Sequence, residues 1–391
     1  MRLLFVHDHR FYRGADGTVF TSGSLPAEIW PRYLAHFDAV EVLARGGGLP
    51  PEGAALARSS HAGVTFDLVT GQSYLQLILG SAALRSQIRS AIARADAVIA
   101  RLPSELGFIA AAECRRIGKP YAVEMVGCAW DAMRNHGARV ARLYAPWFYR
   151  RTRNALRQAP LTLYVTTQWL QERYPTAGRA FGASDVEIAP LSADQLARRH
   201  QRLAQLRDGR APVFGTVASL RIRSKGIQTA LAALKLLRGE GLELRYRVLG
   251  PGDPAPWQAL AASEGVADLV SFDGVRPAGE GVWSWLDTID VHLQPSFQEG
   301  LPRATVEAMS RGAACIGSTC GGIPELVPPE RLHAPGDVAG LAARIRTLAI
   351  DPEALAAAAK RDFEHSAEFD PGRLAKVRST FLSELRRSAE R

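Results

Sequence analysis

The stretch Gln294-Pro-Ser-Phe-Gln-Glu-Gly-Leu-Pro-Arg-Ala-Thr-Val-Glu-Ala-Met309 carries two carboxylates eight residues apart, Glu299 and Glu307. It follows the apolar run Val291-His-Leu293, so it reads as strand, loop and helix. Glu299 falls on the Gly- and Pro-bearing loop. Pro302 opens the helix, because its fixed φ suits a first helical turn, and Ala, Val, Glu, Ala and Met continue it. One acid therefore stands at the mouth of the unit and the other about a turn inside it. The amides of Gly300 and Leu301 and the helix N-terminus point into the same space, which favours a phosphate-bearing ligand. Two carboxylates beside such a seat cannot take the phosphate themselves. They suit hydroxyl groups, as on a sugar and a ribose, and the combination reads as a nucleotide-sugar site.

Outward from this stretch, strands alternate with helical patterns along the whole chain. They fall near Leu3–His7, Val40–Ala44, Val64–Leu68, Ala97–Ala100, Tyr121–Met125 and Thr162–Thr166, and resume at Val213–Val217, Tyr246–Leu249, Leu269–Phe272, Val291–Gln294 and Ala314–Gly317. That spacing predicts an α/β fold of two doubly wound, Rossmann-like parallel-sheet domains. The expected domains are 1–190 and 191–371, with a last helix over 372–391, and the arginine-rich stretch Ser192–Gly209 between them reads as a hinge. At 391 residues and 47% hydrophobic content the chain can bury two cores. No apolar run approaches a membrane span, and Met-Arg-Leu-Leu-Phe-Val-His-Asp8 reads as a buried first strand rather than a signal peptide. The four cysteines lack metal-type Cys-x2-Cys spacing and read as reduced thiols, so the expected location is cytoplasmic.

The run from Gln294 to Val327 resembles the Glu-x7-Glu region of family 4 retaining glycosyltransferases. Its tail, Glu307-Ala-Met309 with Gly312 and then Gly321-Gly-Ile-Pro-Glu325, matches that pattern. Ser224-Lys-Gly226, Gly250-x-Gly252 and Ser271-Phe-Asp-Gly274 stand upstream in the family's order, and the likeness covers most of residues 211–340. It implies the GT-B fold, in which the two domains face a cleft and the last helix crosses back to the first. It also implies transfer of a hexose-type sugar, with retention, from a UDP- or GDP-linked donor to a saccharide or lipid-linked acceptor, as in bacterial surface-polysaccharide assembly. No metal or other cofactor is expected beyond the nucleotide sugar as co-substrate, and no Asp-x-Asp is present.

Residue by residue, the resemblance implies that Lys225 neutralises the donor diphosphate. The family's partner arginine six residues earlier is replaced by Ser219, which leaves Arg221 or Arg223 to supply that charge. Glu299 would hold sugar hydroxyls and Glu307 the ribose. Gly300, Leu301, Pro302, Gly250, Gly274 and Val275 would line the donor seat.

In the first half, the expected ligand loop is His7-Asp-His-Arg-Phe-Tyr-Arg-Gly-Ala-Asp-Gly17, where Gly14 and Gly17 would admit a ligand to the backbone. His9 and Arg13 would offer contacts there. A metal at His7, Asp8 and His9 is disfavoured because neighbouring strand side chains point to opposite faces. Many relatives carry a histidine after the fifth strand. Here the stretch reads Glu124-Met-Val-Gly-Cys-Ala-Trp-Asp131, so Glu124, Trp130, Asp131 or His136 would take its place at the acceptor.

The net charge of +9 is uneven. Residues 1–190 hold 22 basic and 15 acidic side chains, and 191–391 hold 26 and 24. Arg134–Arg157 alone carries seven arginines and no acid, interleaved with Tyr144, Trp147, Phe148 and Tyr149. One reading is a solvated helix face over a core-facing aromatic stripe. The other is a helix on an anionic membrane surface, on the inner face of the cell membrane, and this is the reading adopted. Nothing resembles a nucleic-acid module.

Competing functions are weaker. Gly250-Pro-Gly-Asp-Pro-Ala255 fits a dinucleotide fingerprint loosely, but Pro251 and Pro254 remove amides where pyrophosphate needs them. Glycosidases also use two carboxylates but have no use for a phosphate clamp. A GT-B-shaped epimerase or phosphorylase, or a non-catalytic partner subunit, would share the fold.

Overall fold

The computed structural model describes residues 1–22, 25–50, 56–134, 139–186, 188–242 and 244–391. The chain divides into two compact units, Met1–Ala183 with Ala375–Arg391, and Ser184–Leu374. In the first, the strands are β1 (Arg2–Arg13), β2 (Val19–Thr21), β3 (Ala39–Gly46), β4 (Ala57–Arg58), β5 (Val64–Val69), β6 (Ala97–Leu102), β7 (Tyr121–Met125), β8 (Leu161–Tyr164) and β9 (Arg179–Gly182). The parallel order is β5-β3-β1-β6-β7-β8-β9. Leu3, Leu4, Phe5 and Val6 are all fully buried, because β1 sits mid-sheet and both its faces are covered.

The expected ligand loop after β1 is mostly strand. A register shift between Val6 and Arg10 carries β1 on to Arg13, where it continues along β3 and pairs antiparallel with β2. Gly14 and Gly17 form the hairpin turn, with the Gly17 amide donating to Gly14 O at 3.0 Å and φ +83° at Gly17. The glycine character of Gly17 is therefore spent on the turn.

In the second unit the strands are β10 (Val213–Val217), β11 (Arg245–Leu249), β12 (Val270–Phe272), β13 (Val291–Gln294), β14 (Ala314–Ser318) and β15 (Leu332–His333). All pair in parallel, in the order β12-β11-β10-β13-β14-β15. Chain order reverses between β10 and β13, so the crevice at their carboxyl ends is where such sheets hold ligands. The stretch expected to be a hinge forms the helix Ala193–Ala204 and packs within this unit: Arg199 is buried and donates to the carbonyls of Leu286 (3.0 Å) and Arg311 (3.1 Å). A long terminal helix, Pro371–Glu390, joins the first unit from Ala375. There Phe381 packs edge-on to Phe181 at 5.7 Å, and Arg386 donates to His36 O at 2.7 Å. No helix among the described residues is long and apolar enough to cross a membrane.

Candidate active site

The second unit's crevice is built by two loops that interlock. The loop after β10 ends in one tight helical turn, Arg223–Lys225, closed by Gly226 at φ +77°. A Cβ on Gly226 would lie 1.9 Å from Pro295 O, so only glycine lets this loop approach the one after β13. The Phe297 amide then donates to Ser224 O at 2.7 Å. This brings Lys225 Nζ to 2.7 Å from Glu299 Oε1. Glu299 also accepts from Gln294 Nε2 at 2.8 Å and Ser296 Oγ at 2.7 Å, all on the same oxygen. The loop after β14 packs over it from the far side. Gly321, at φ +60°, has room for no Cβ (2.2 Å from Glu299 O), and the Gly322 amide donates to Gly300 O at 2.7 Å. The first glycine of the motif's Gly-Gly pair is thus explained by close backbone approach.

The helix expected from Pro302 spans Arg303–Ser310, with Pro302 at its start and no side chain capping it. Glu307 lies on it one turn beyond Arg303 and is buried. Desolvation raises its pKa to about 7, against the opposing pull of Arg303. Of the two candidate arginines, Arg223 lays its guanidinium over Trp257 at 5.6 Å, whereas Arg221 packs its Cγ above Gly252. Gly250 donates to Gly274 O at 2.7 Å, which joins the ends of β11 and β12 beside this loop, and Val275 is exposed.

The first unit places its candidates differently. Asp8, on the strand face opposite His7 and His9, accepts from the amides of Glu105 (2.6 Å) and Leu106 (2.9 Å), the first residues of the helix Glu105–Ile117. This sheet too reverses between β1 and β6, but the protein's own carboxylate fills its anion seat. Burial raises the Asp8 pKa to about 6. His9 stands 2.6 Å from Thr21 Oγ1, and Arg13 donates to Phe66 O at 3.0 Å. Glu124 is turned inward, contrary to an acceptor-facing role: Tyr33 Oη donates to one oxygen at 2.9 Å and Arg101 to the other at 3.0 Å. Trp130 packs edge-on to Tyr149, and Asp131 lies 3.9 Å from Arg173. His136 lies outside the described residues.

The arginine-rich segment contains the helix Arg139–Arg157 and divides by face. Phe148 is buried edge-on to Phe108, and Tyr144 Oη donates to buried Glu105 at 2.7 Å. Arg151 pairs with Glu105 and lies 4.5 Å over Phe108 and 4.8 Å over Trp147, so its charge is spent on a buried carboxylate rather than left free on the exposed face. Arg139, Arg142, Arg150 and Arg153 are exposed, together with Val140 (76%), Leu143 (82%) and Trp147 (47%). Residues 140, 143 and 147 share one helix stripe.

Sequence reasoning missed Asp8 as a helix cap, and it missed Gln294 and Ser296 as partners of Glu299. The second pair had a readable signal: His292, Gln294 and Ser296 alternate along a run that is otherwise apolar.

Residues 211–351 match the family described as "Glycosyl transferases group 1". The chain is 31% identical over 343 residues to Protein CapJ of Staphylococcus aureus, covering 87% of this chain and 84% of that protein. It is 34% identical over 151 residues to the putative colanic acid biosynthesis glycosyltransferase WcaL of Escherichia coli (strain K12), which spans 35% of this chain and 36% of that one. The crystal structure of Anabaena HepE in complex with UDP superposes with a TM-score of 0.64 at 18% identity, over 98% of this chain and 99% of HepE. That likeness is one of fold, and the two parallel-sheet α/β domains are those of GT-B glycosyltransferases. With a family match centred on the unit that holds Lys225, Glu299 and Glu307, the chain belongs to the group 1 glycosyltransferase family.

Proposed function

We propose that this chain transfers a hexose-type sugar, with retention at the anomeric carbon, from a nucleoside-diphosphate sugar to a hydroxyl of a saccharide or lipid-linked acceptor in surface-polysaccharide assembly. The observation that carries this reading is the Lys225–Glu299 pair at the switch point of the second sheet, with buried Glu307 one helix beyond. Lys225 would face the diphosphate as its charge grows on leaving, and Arg221, whose guanidinium is not stacked on Trp257, is the better placed arginine to join it. Glu299 would hold sugar hydroxyls and Glu307 the ribose, with Gly300, Leu301 and Pro302 beside the phosphates. The departing phosphate would take the acceptor proton, so no protein base and no metal is required. HepE has been crystallised with UDP and with UDP-glucose, which supports a nucleotide-sugar donor. WcaL and the amylovoran biosynthesis glycosyltransferase AmsK support a polysaccharide product.

The exposed basic and apolar stripe of helix Arg139–Arg157 supports a bilayer-bound acceptor, because polyprenyl-linked saccharides are anionic and confined to the membrane surface. The test is thermal-shift screening against UDP and GDP, followed by product analysis of the matching nucleotide sugars with and without a lipid-linked saccharide. Stabilisation by a nucleoside diphosphate and an acceptor-dependent product with retained configuration are expected. Rearranged sugar without an acceptor would favour an epimerase instead.

A further inference from the structure

His292, Gln294 and Ser296 follow one another at alternate positions along β13 and just past its end, and all three are buried. A parallel strand covered on both faces is ordinarily lined there by Val, Ile or Leu. These residues instead form one run of hydrogen bonds. His292 Nε2 lies 3.0 Å from Gln294 Oε1, and Thr305 Oγ1 donates to the same oxygen at 3.3 Å. With its carbonyl engaged, the Gln294 amide directs Nε2 to Ser296 Oγ (2.9 Å) and to Glu299 Oε1 (2.8 Å). The opposite amide orientation would set an oxygen against the carboxylate, so the assignment is chemically fixed.

Burial lowers the His292 pKa to about 4, so the ring is neutral near pH 7. Its one N–H faces Gln294, which leaves Nδ1 a buried acceptor without a partner among the described residues. Such an orphan is destabilising, so stability does not account for the row. Its far end does. Three donors, Lys225, Gln294 and Ser296, meet on Glu299 Oε1, and among the described residues none meets Oε2.

We propose that Gln294, oriented by His292 and Thr305, is a positioning residue that anchors Glu299 through Oε1 and leaves Oε2 as the oxygen presented to the donor sugar. This rests on the reading of Glu299 given above. A carboxylate held from three sides on one oxygen cannot rotate, and a transition state is sensitive to misplacement of well under an ångström. The experiment compares crystal structures of the wild type and Gln294→Met, together with UDP release from UDP-glucose as the probe reaction. In Gln294→Met, Glu299 is expected to leave Lys225 or to occupy two conformers, with kcat down roughly 10–100-fold and donor KM little changed.

Gln294→Glu keeps the side-chain length but sets a second carboxylate against Glu299. It should move the acidic limb of the kcat–pH profile upward by about one unit or more, and it carries the test if Gln294→Met does not fold. Glu299 unmoved in Gln294→Met, or an unshifted profile in Gln294→Glu, overturns the proposal. Glu299→Gln separates the two readings. Full activity there removes Glu299 from the site, whereas impairment there beside wild-type behaviour of both Gln294 variants removes only the positioning role.

Discussion

Lys225 and Glu299 stand 74 residues apart in sequence and meet at 2.7 Å. The pair ties the loop after β10 to the loop after β13, where the strand order of the second sheet reverses. The lysine side chain is 26% exposed and the glutamate 8%, so this is a partly buried pair whose cation still reaches the crevice. A diphosphate arriving there would share Lys225 with Glu299, and the glutamate would then be held by Gln294 and Ser296.

Lys225→Ala and Glu307→Ala are expected to fail differently. On the proposed function Lys225 would face charge that grows in the transition state, so its loss should lower kcat by ~10²–10³-fold. Glu307 would make ribose contacts present throughout, so its loss should raise donor KM more than it lowers kcat. Steady-state kinetics with the preferred nucleotide sugar decides this, and near-wild-type kcat for Lys225→Ala would remove the clamp.

Glu307 also sets a pH dependence of stability. Its folded pKa of about 7 lies above the ordinary glutamate value of 4.5 because burial penalises the charged form. The folded state therefore holds the proton more tightly, and Glu307 costs increasing stability as pH rises from about 4.5 to 7, with a plateau beyond. The plateau is on the order of 3 kcal/mol at 1.36 kcal/mol per unit. Glu307→Gln should raise Tm more at pH 8 than at pH 5 while weakening donor binding. Calorimetry at the two pH values is the check, and an equal shift at both would mean that Glu307 is not desolvated.

Transfer should persist in excess chelator, since Lys225 and Arg221 would supply the charge that a divalent cation provides elsewhere. Loss of activity in EDTA that manganese or magnesium restores would contradict this.

Helix Arg139–Arg157 makes a prediction with an internal control. Replacing exposed Arg142, Arg150 and Arg153 with glutamate should abolish most sedimentation with anionic vesicles and leave Tm nearly unchanged, at roughly 1 kcal/mol of membrane attraction per arginine, weakened by salt. Arg151→Ala should do the opposite. It leaves Glu105 buried without its cation, at a cost of about 3 kcal/mol or more, while vesicle binding changes little. Wild-type protein that stays in the supernatant at low salt would return the exposed stripe to an ordinary solvated face.

The sequence by itself determined the alternation of strands and helices, and with it two parallel sheets. The bounds of Tyr121–Met125, Val213–Val217 and Val291–Gln294 were legible to the residue, because buried parallel strands are short apolar runs cut off by loop residues. The helix after Pro302 was legible for an equally local reason. Tertiary structure decided whatever depended on a partner distant in the chain. Residues 7–13 became strand because β2 and β3 were there to pair with them, although their polar, glycine-flanked composition reads as a loop. Glu124 faced inward because Tyr33 and Arg101 offered it donors. Arg151 left the basic face for Glu105, and Asp8 took a helix N-terminus 97 residues away. Periodicity records which face of an element is apolar. Which charge a buried carboxylate meets is fixed only when the sheet brings separate loops to one edge, where the penalty for leaving that charge unpaired selects the partner.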